Sequence, residues 1–104
     1  MTDTAPVPAA DCTDMSQVRA AIDGLDTLIV SLLAERMRYI EAAARIKPER
    51  GAVRDDVRKA AVIAHAVKVA DDRGFPPKLA YRLYEMLVEG SIAHEFDMFD
   101  AREG

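Results

Sequence analysis

The segment from Ser16 to Lys47 contains no residue that breaks a helix except Gly24, which a helix tolerates. Pro48 then ends the segment, because a proline ring does not fit inside a helix. Apolar residues recur along it in steps of three, four and seven, at Val18, Ile22, Leu25, Ile29, Leu32, Ile40 and Ala43. A helix of about 32 residues is roughly 48 Å long, whereas a compact chain of this size is roughly 33 Å across. We therefore expect a second copy, or another protein, to cover part of the first helix.

Two further helices are predicted after a polar loop at 49–54. Asp55 and Asp56 favour a helix start, Gly74 favours its end, and Pro76-Pro77 opens the third helix. The expected apolar positions of the second helix are Val57, Ala60, Ala61, Ala64, Val67 and Ala70. Those of the third are Leu79, Leu83, Met86 and Leu87, beside a row of Tyr84, Val88, Ser91, Glu95 and Met98. With no strand pattern, the sequence predicts an all-α, three-helix protomer with a very long first helix.

Composition excludes several classes of protein. A lone cysteine, Cys12, excludes a disulfide framework and a cysteine-built metal site. The net charge of −4 argues against general nucleic-acid binding, and no apolar run is long enough to span a membrane. Residues 1–14 carry no signal-peptide pattern and are expected to be a flexible tail before a helical domain at 15–104. We therefore expect a cytoplasmic protein.

Charged residues interrupt the apolar stripe of the first helix. Arg36 follows Leu32 by four residues and Lys47 follows Ala43 by four, so both lie on the stripe. They share a helix face about 16 Å apart, close enough for their long side chains to converge on an anion. Arg19 is about 25 Å from Arg36 along the axis, so it would reach the same ligand only from the helix of an antiparallel partner. The alternative is that Arg36 and Lys47 extend to solvent or pair with acids.

The other helices supply further candidates. Arg58 lies in the first turn of the second helix and is expected to face inward with Val57 or Ala61. Ser91 and Glu95 are neighbours one turn apart on the third helix, although Glu95 could equally be a surface acid. His65 and His94 lack partners at metal-ligand spacing, and the sequence has no glycine-rich phosphate loop or nucleophile elbow.

Four segments of the chain resemble the all-helical, type II chorismate mutase family. They are VRAAIDGLDTLIVSLLAERM (18–37), AAARIK (42–47), VRDDVRK (53–59) and LYEMLVEGSIAHE (83–95). The likeness covers nearly the whole chain, with the three helices in order. The start, DCTDMSQVRAAID, looks most like a small subset that includes isochorismate pyruvate lyases. The resemblance implies an intertwined homodimer with two active sites, each completed by the partner's first helix.

Site residues follow from the resemblance position by position. It implies that Arg19 from the partner grips one substrate carboxylate, that Arg36 binds the second, and that Arg58 lies in the same pocket. Lys47 would donate to the ether oxygen and a carboxylate. The remaining implied contacts are the ring-hydroxyl region for Asp55, a carboxylate for Ser91, and the ether oxygen, opposite Lys47, for Glu95.

Two positions depart from the family pattern. The position of Glu95 holds glutamine in many bacterial members, lyases included, and glutamate in fungal mutases. The position after Arg58 often holds a glutamate that binds the ring hydroxyl, and here it is Lys59. This second departure bears on which substrate the chain accepts.

The resemblance predicts a chorismate mutase, an isomerase of aromatic amino-acid biosynthesis that needs no cofactor or metal. Its substrate, chorismate, is a dianion, and fixed Arg and Lys donors suit a rearrangement in which charge builds on an ether oxygen. The alternative is an isochorismate pyruvate lyase that uses the same residues to release pyruvate and salicylate. A third interpretation is a non-catalytic helical dimer that binds a partner enzyme.

Overall fold

A computed structural model describes residues 6–103 as a chain of three helices. Helix α1 spans Met15–Ile46, α2 spans Asp56–Arg73 and α3 spans Pro77–Glu103, with short 3-10 turns at Ala9–Asp11 and Arg50–Ala52. These residues include no strand, which confirms the all-α prediction and the very long first helix. None of the described helices is long and apolar enough to cross a membrane.

The predicted helix boundaries are confirmed, and local chemistry explains them. Helix α2 begins after Asp55, whose carboxylate accepts a hydrogen bond of 2.9 Å from the backbone N–H of Arg58. It ends at Gly74, whose φ of 76° lies in the left-handed region that favours glycine. Helix α3 then starts at Pro77, which has no N–H to leave unsatisfied in a first turn.

The chain divides into two compact units, and the boundary falls inside α1 between Arg36 and Met37. In the first unit, Asp14 caps α1 by accepting a hydrogen bond of 2.9 Å from the N–H of Gln17. The side chain of Gln17 in turn accepts one of 2.7 Å from the N–H of Thr13. Of the tail predicted at 1–14, residues 1–5 lie outside the described residues, and residues 6–14 contain the first 3-10 turn.

The apolar stripe of α1 in the first unit is exposed. Its side chains are about half accessible to solvent, at 48% for Ile22, 56% for Leu25, 51% for Ile29 and 60% for Leu32. Apolar stripes of this length are rarely exposed to solvent, because the burial of an apolar face supplies most of the stability of helices in proteins. The exposure leaves a continuous apolar face on this part of α1.

The second unit has its own hydrophobic core. The end of α1, the loop that follows it, α2 and α3 all contribute to it, through Ala44, Val53, Ile63, Val88, Ile92 and Phe99. On α3, the buried side is therefore the row that contains Val88 and Glu95, while Leu79, Leu83 and Met86 are exposed. The core thus fixes which face of α3 is turned inward.

The predicted apolar stripe of α2 is wrong over its first two turns. Val57 is 82% exposed, and Ala60, Ala61 and Ala64 are exposed as well. The buried side is defined by Ile63 and Ala70, with Val62 and Val67 packed against the core. Larger side chains decide the orientation because they bury more apolar area than alanine. As a result Arg58 is exposed, and the expectation that it faces inward within this chain is wrong.

Candidate active site

The structure brings Lys47 and Glu95 together in the second unit. Lys47 directly follows the last residue of α1, and Glu95 lies on the buried side of α3. The Nζ atom of Lys47 is 2.6 Å from Oε2 of Glu95, an ion-pair distance. The same Nζ atom donates a hydrogen bond of 3.4 Å to the backbone carbonyl of Val53, which is buried. A cation is also favoured at this position by the partial negative charge at the carboxyl end of a helix.

Glu95 is a buried acid that is held mainly by charge. Only 4% of the residue is exposed, and acids are almost never buried unless they are paired. Its Oε2 atom has no hydrogen bond of regular geometry to the described residues, although Lys47 lies at ion-pair distance. The ammonium of Lys47 therefore supplies the compensation that this buried carboxylate needs.

Ser91 is buried one turn before Glu95 on the same side of α3. Its hydroxyl donates a hydrogen bond of 2.7 Å to the backbone carbonyl of Leu87. This bond fixes the direction of the hydroxyl proton. Lys47, Ser91 and Glu95 are thus predicted site residues that the fold brings to one place.

Asp55 and Arg58 lie at the exposed start of α2. The carboxylate of Asp55 is used as the cap of that helix, since it accepts from the N–H of Arg58. Arg58 lies in the first turn of α2 and is exposed, as is Val57 before it. Within a single chain these two side chains are therefore on the surface.

Arg19 and Arg36 belong to α1 in the first unit. Arg19 is exposed on the second turn of the helix, and Arg36 is half-buried at the end of the unit. The first is thus accessible to a second molecule.

A cluster of ion pairs between α2 and α3 was not predicted from the sequence. Lys59 lies 2.8 Å from Glu85 and 2.7 Å from Glu89, and Arg54 lies 2.7 Å from Glu89. We call these four residues the α2–α3 ion cluster. Hydrogen bonds from Arg54 and then Lys59 lower the pKa of Glu89 to about 2. The hydrogen bonds that Lys59 donates to Glu85 and then to Glu89 raise the pKa of Lys59. The sequence contains one indication of this cluster, the four-residue spacing that places Glu85 and Glu89 on the same face of α3.

The Lys47–Glu95 pair could stabilise negative charge on an oxygen atom. Lys47 supplies a fixed cation, and 28% of its side chain reaches solvent, against 5% for Glu95. A protonated Glu95 could donate a second hydrogen bond to the same oxygen. Among residues 6–103, no group of three or more His, Cys, Asp or Glu side chains is arranged to hold a metal ion.

Two comparisons with known proteins found similar sequences. The family model described as chorismate mutase type II matches residues 18–96, a range that contains both Lys47 and Glu95. The chain is also similar to an isochorismate pyruvate lyase from Pseudomonas aeruginosa. The two are 30% identical over 94 residues, which is 90% of this chain and 93% of the relative.

Proposed function

Since this chain belongs to the type II chorismate mutase family, we propose that it is an enzyme that rearranges chorismate to prephenate. The observation that carries the proposal is the Lys47–Glu95 pair, in which Nζ lies 2.6 Å from Oε2. Both residues fall within the range that the family model matches. The product is a precursor of aromatic amino acids, and the enzyme acts in the cytoplasm.

The chemistry fits a site of fixed donors without a nucleophile. The rearrangement is a single pericyclic step, so the enzyme needs to hold the reactive conformer and stabilise charge on the breaking ether oxygen. Lys47 donates to that oxygen from one side. Glu95 donates from the other side in its protonated form, because an ionised carboxylate would repel the developing charge. Bound substrate therefore separates the two side chains that touch in the free protein.

The substrate's carboxylates are bound by arginines. Arg36 binds one carboxylate, and Arg58 and Ser91 contribute to the pocket, with Asp55 near the ring hydroxyl. Arginine suits this role because its planar fork matches a carboxylate in a two-point contact. These assignments come from the family pattern. The exposure of Arg58 in the single chain is consistent with a pocket that a second subunit closes.

A homodimer completes each site. The exposed apolar face of α1, at Ile22, Leu25, Ile29 and Leu32, supports this, since a second copy would bury it. Arg19 lies three residues before Ile22 on the same helix and is exposed. It crosses to the partner and binds the remaining carboxylate of the substrate there.

Isochorismate pyruvate lyase is the second candidate. The observation in its favour is the 30% identity with the lyase from Pseudomonas aeruginosa over nearly the whole of both chains. The same donors would stabilise the breaking ether bond of isochorismate, with release of pyruvate and salicylate. Lys59 bears on the choice of substrate, because it stands where the family often has a glutamate that binds the ring hydroxyl. Its ammonium is held instead by Glu85 and Glu89.

The deciding experiment offers the protein each substrate separately. Chorismate is followed for prephenate and isochorismate for salicylate, with a Lys47→Met variant as the control for uncatalysed conversion. Prephenate formed faster by the wild type than by the variant supports the mutase. Salicylate alone supports the lyase, and neither product would favour a non-catalytic dimer that binds another enzyme.

A further inference from the structure

The carboxyl end of α1 lacks a backbone donor. In a regular helix the carbonyl of Ala44 would accept a hydrogen bond from the N–H of residue 48. Residue 48 is proline and has no N–H. Ala44 is only 1% exposed, so solvent does not replace the missing donor easily. The carbonyl needs a partner from elsewhere in the chain.

Arg102, near the end of α3, supplies that partner. Its guanidinium donates hydrogen bonds of 2.8 Å to the carbonyl of Ala44 and 3.0 Å to that of Arg45. The guanidinium carbon also lies 3.7 Å from the centre of the ring of Phe99, which is buried. The ring therefore holds the guanidinium in a fixed place. Both carbonyls immediately precede the last residue of α1 and Lys47.

The chain just beyond Lys47 is held by the same part of α3. Arg50 donates hydrogen bonds of 2.9 and 3.3 Å to the carboxylate of Asp100. Its guanidinium carbon lies 4.5 Å from the centre of the ring of Phe96. The last turns of α3 thus contact the backbone before Lys47 and a side chain after it.

We propose that Arg102 is a positioning residue for Lys47, a role that rests on the proposed function. Lysine is a point charge on a flexible stem, so its location depends on the backbone from which it projects. Arg102 fixes the two peptide groups at 44 and 45, and Lys47 begins two residues later. Without Arg102 the buried carbonyl of Ala44 loses its donor, and the last turn of α1 relaxes toward water. The ammonium then moves away from the place where the ether oxygen binds.

The first test compares Arg102→Met with Arg82→Met, an exposed arginine on the same helix. Both variants are assayed where circular dichroism shows them folded. A misplaced donor is expected to lower kcat about ten- to a hundredfold in Arg102→Met. KM is expected to rise less than kcat falls, because the ether oxygen gains its charge in the transition state. Arg82→Met is expected to behave as the wild type. A wild-type kcat in Arg102→Met would overturn the proposal.

The second test returns the missing donor by another route. Pro48→Ala gives residue 48 an N–H that can reach the carbonyl of Ala44. Combined with Arg102→Met, it is expected to recover part of the lost kcat, which a general loss of stability would not explain. No recovery in a folded double variant would overturn the proposal. If Arg102→Met does not fold, Phe99→Leu removes the ring beneath the guanidinium, and a wild-type kcat there would count against it.

A spectroscopic measurement separates this proposal from the proposed function. The Nζ resonance of Lys47 is assigned by its absence in Lys47→Arg and followed in each variant. Arg102→Met is expected to shift it toward the position of a solvated lysine, and Arg82→Met is not. A wild-type protein that converts neither substrate would contradict the proposed function alone. An unshifted resonance would contradict the positioning role even if the enzyme is active.

Discussion

Nζ of Lys47 lies 2.6 Å from Oε2 of Glu95, and the two side chains differ in access to solvent, at 28% and 5% exposed. An incoming anion therefore meets the lysine first. If Lys47 turns to the anion, Glu95 is left buried without its cation, which is strongly unfavourable. The binding of an anion at Lys47 is therefore coupled to how the buried carboxylate of Glu95 is compensated.

Replacing Lys47 is expected to remove most of the activity. Lys47→Met takes a charge from the bound dianion, at a cost of about 3–5 kcal/mol, the range for breaking a buried ion pair. Lys68→Met is the matched control, because the pair of Lys68 with Asp72 is exposed and within one helix. The activities of both variants are compared by their initial rates of prephenate formation. Near-wild-type turnover in Lys47→Met would show that the ether oxygen binds elsewhere.

Glu95 is expected to act as a neutral hydrogen-bond donor to the breaking ether oxygen. Glu95→Gln keeps a neutral donor at this position and is expected to retain activity, whereas Glu95→Ala removes the donor and is expected to lose most of it. Initial rates of prephenate formation by the two variants give the comparison. Equal rates would mean that Glu95 does not contact the reacting oxygen.

Two inactive variants are expected to complement each other if sites are shared between subunits. Each proposed site takes Lys47 from one subunit and Arg19 from the other. A dimer of one Arg19→Ala chain and one Lys47→Met chain therefore retains one complete site. After full subunit exchange, about half of the dimers are mixed and about a quarter of wild-type activity returns. The assay is repeated on each variant alone as the control. Activity that stays at the level of the separate variants would argue against a shared site.

The α2–α3 ion cluster is expected to stabilise the protein above acidic pH. The pKa of Glu89 is lowered to about 2, so its contribution to stability is present above the ordinary pKa near 4.5. As pH falls from that value through 2, the folded state binds fewer protons than the unfolded state and loses this contribution. Urea denaturation of the wild type and Glu89→Gln between pH 5 and 2 measures the effect. The wild type should lose free energy of unfolding more steeply, and equal slopes would contradict the assignment.

Gly74 is expected to tolerate alanine poorly although there is space for the added methyl group. No heavy atom lies within 4 Å of a Cβ built there, but the backbone has φ of 76°. Gly74→Ala should therefore lower the free energy of unfolding by about 1 kcal/mol. Gly90→Ala is the control, since Gly90 is inside α3 with equal space, and alanine there should stabilise by about 0.5–1 kcal/mol. The midpoints of thermal denaturation distinguish the two variants. Equal midpoints would show that alanine at position 74 is not strained.

The helices were predictable because their ends carry local signals. Pro48, Asp55, Gly74 and Pro77 act on their own backbone, so their effects need no knowledge of the rest of the chain. The pairing of Lys47 with Glu95 followed from the resemblance to a family. Helical spacing alone left Glu95 open as a surface acid.

The face of α2 could not be read from its own sequence. Alanines at 60, 61 and 64 fit an apolar stripe, yet Val62 and Ile63 decide the side that packs on α3. The α2–α3 ion cluster was missed for the same reason, because Lys59 meets Glu85 and Glu89 only after that packing is known. Tertiary contacts of this kind have no local signal.

The hydrogen bonds from Arg102 to the carbonyls of Ala44 and Arg45 also set an order of events during folding. They join residues 58 and 57 positions apart, so they form only after a long loop of chain has closed. Until α3 has reached this place, the last turn of α1 has no donor and frays. The end of the first helix is therefore completed only by a residue that lies 57 and 58 positions further along the chain.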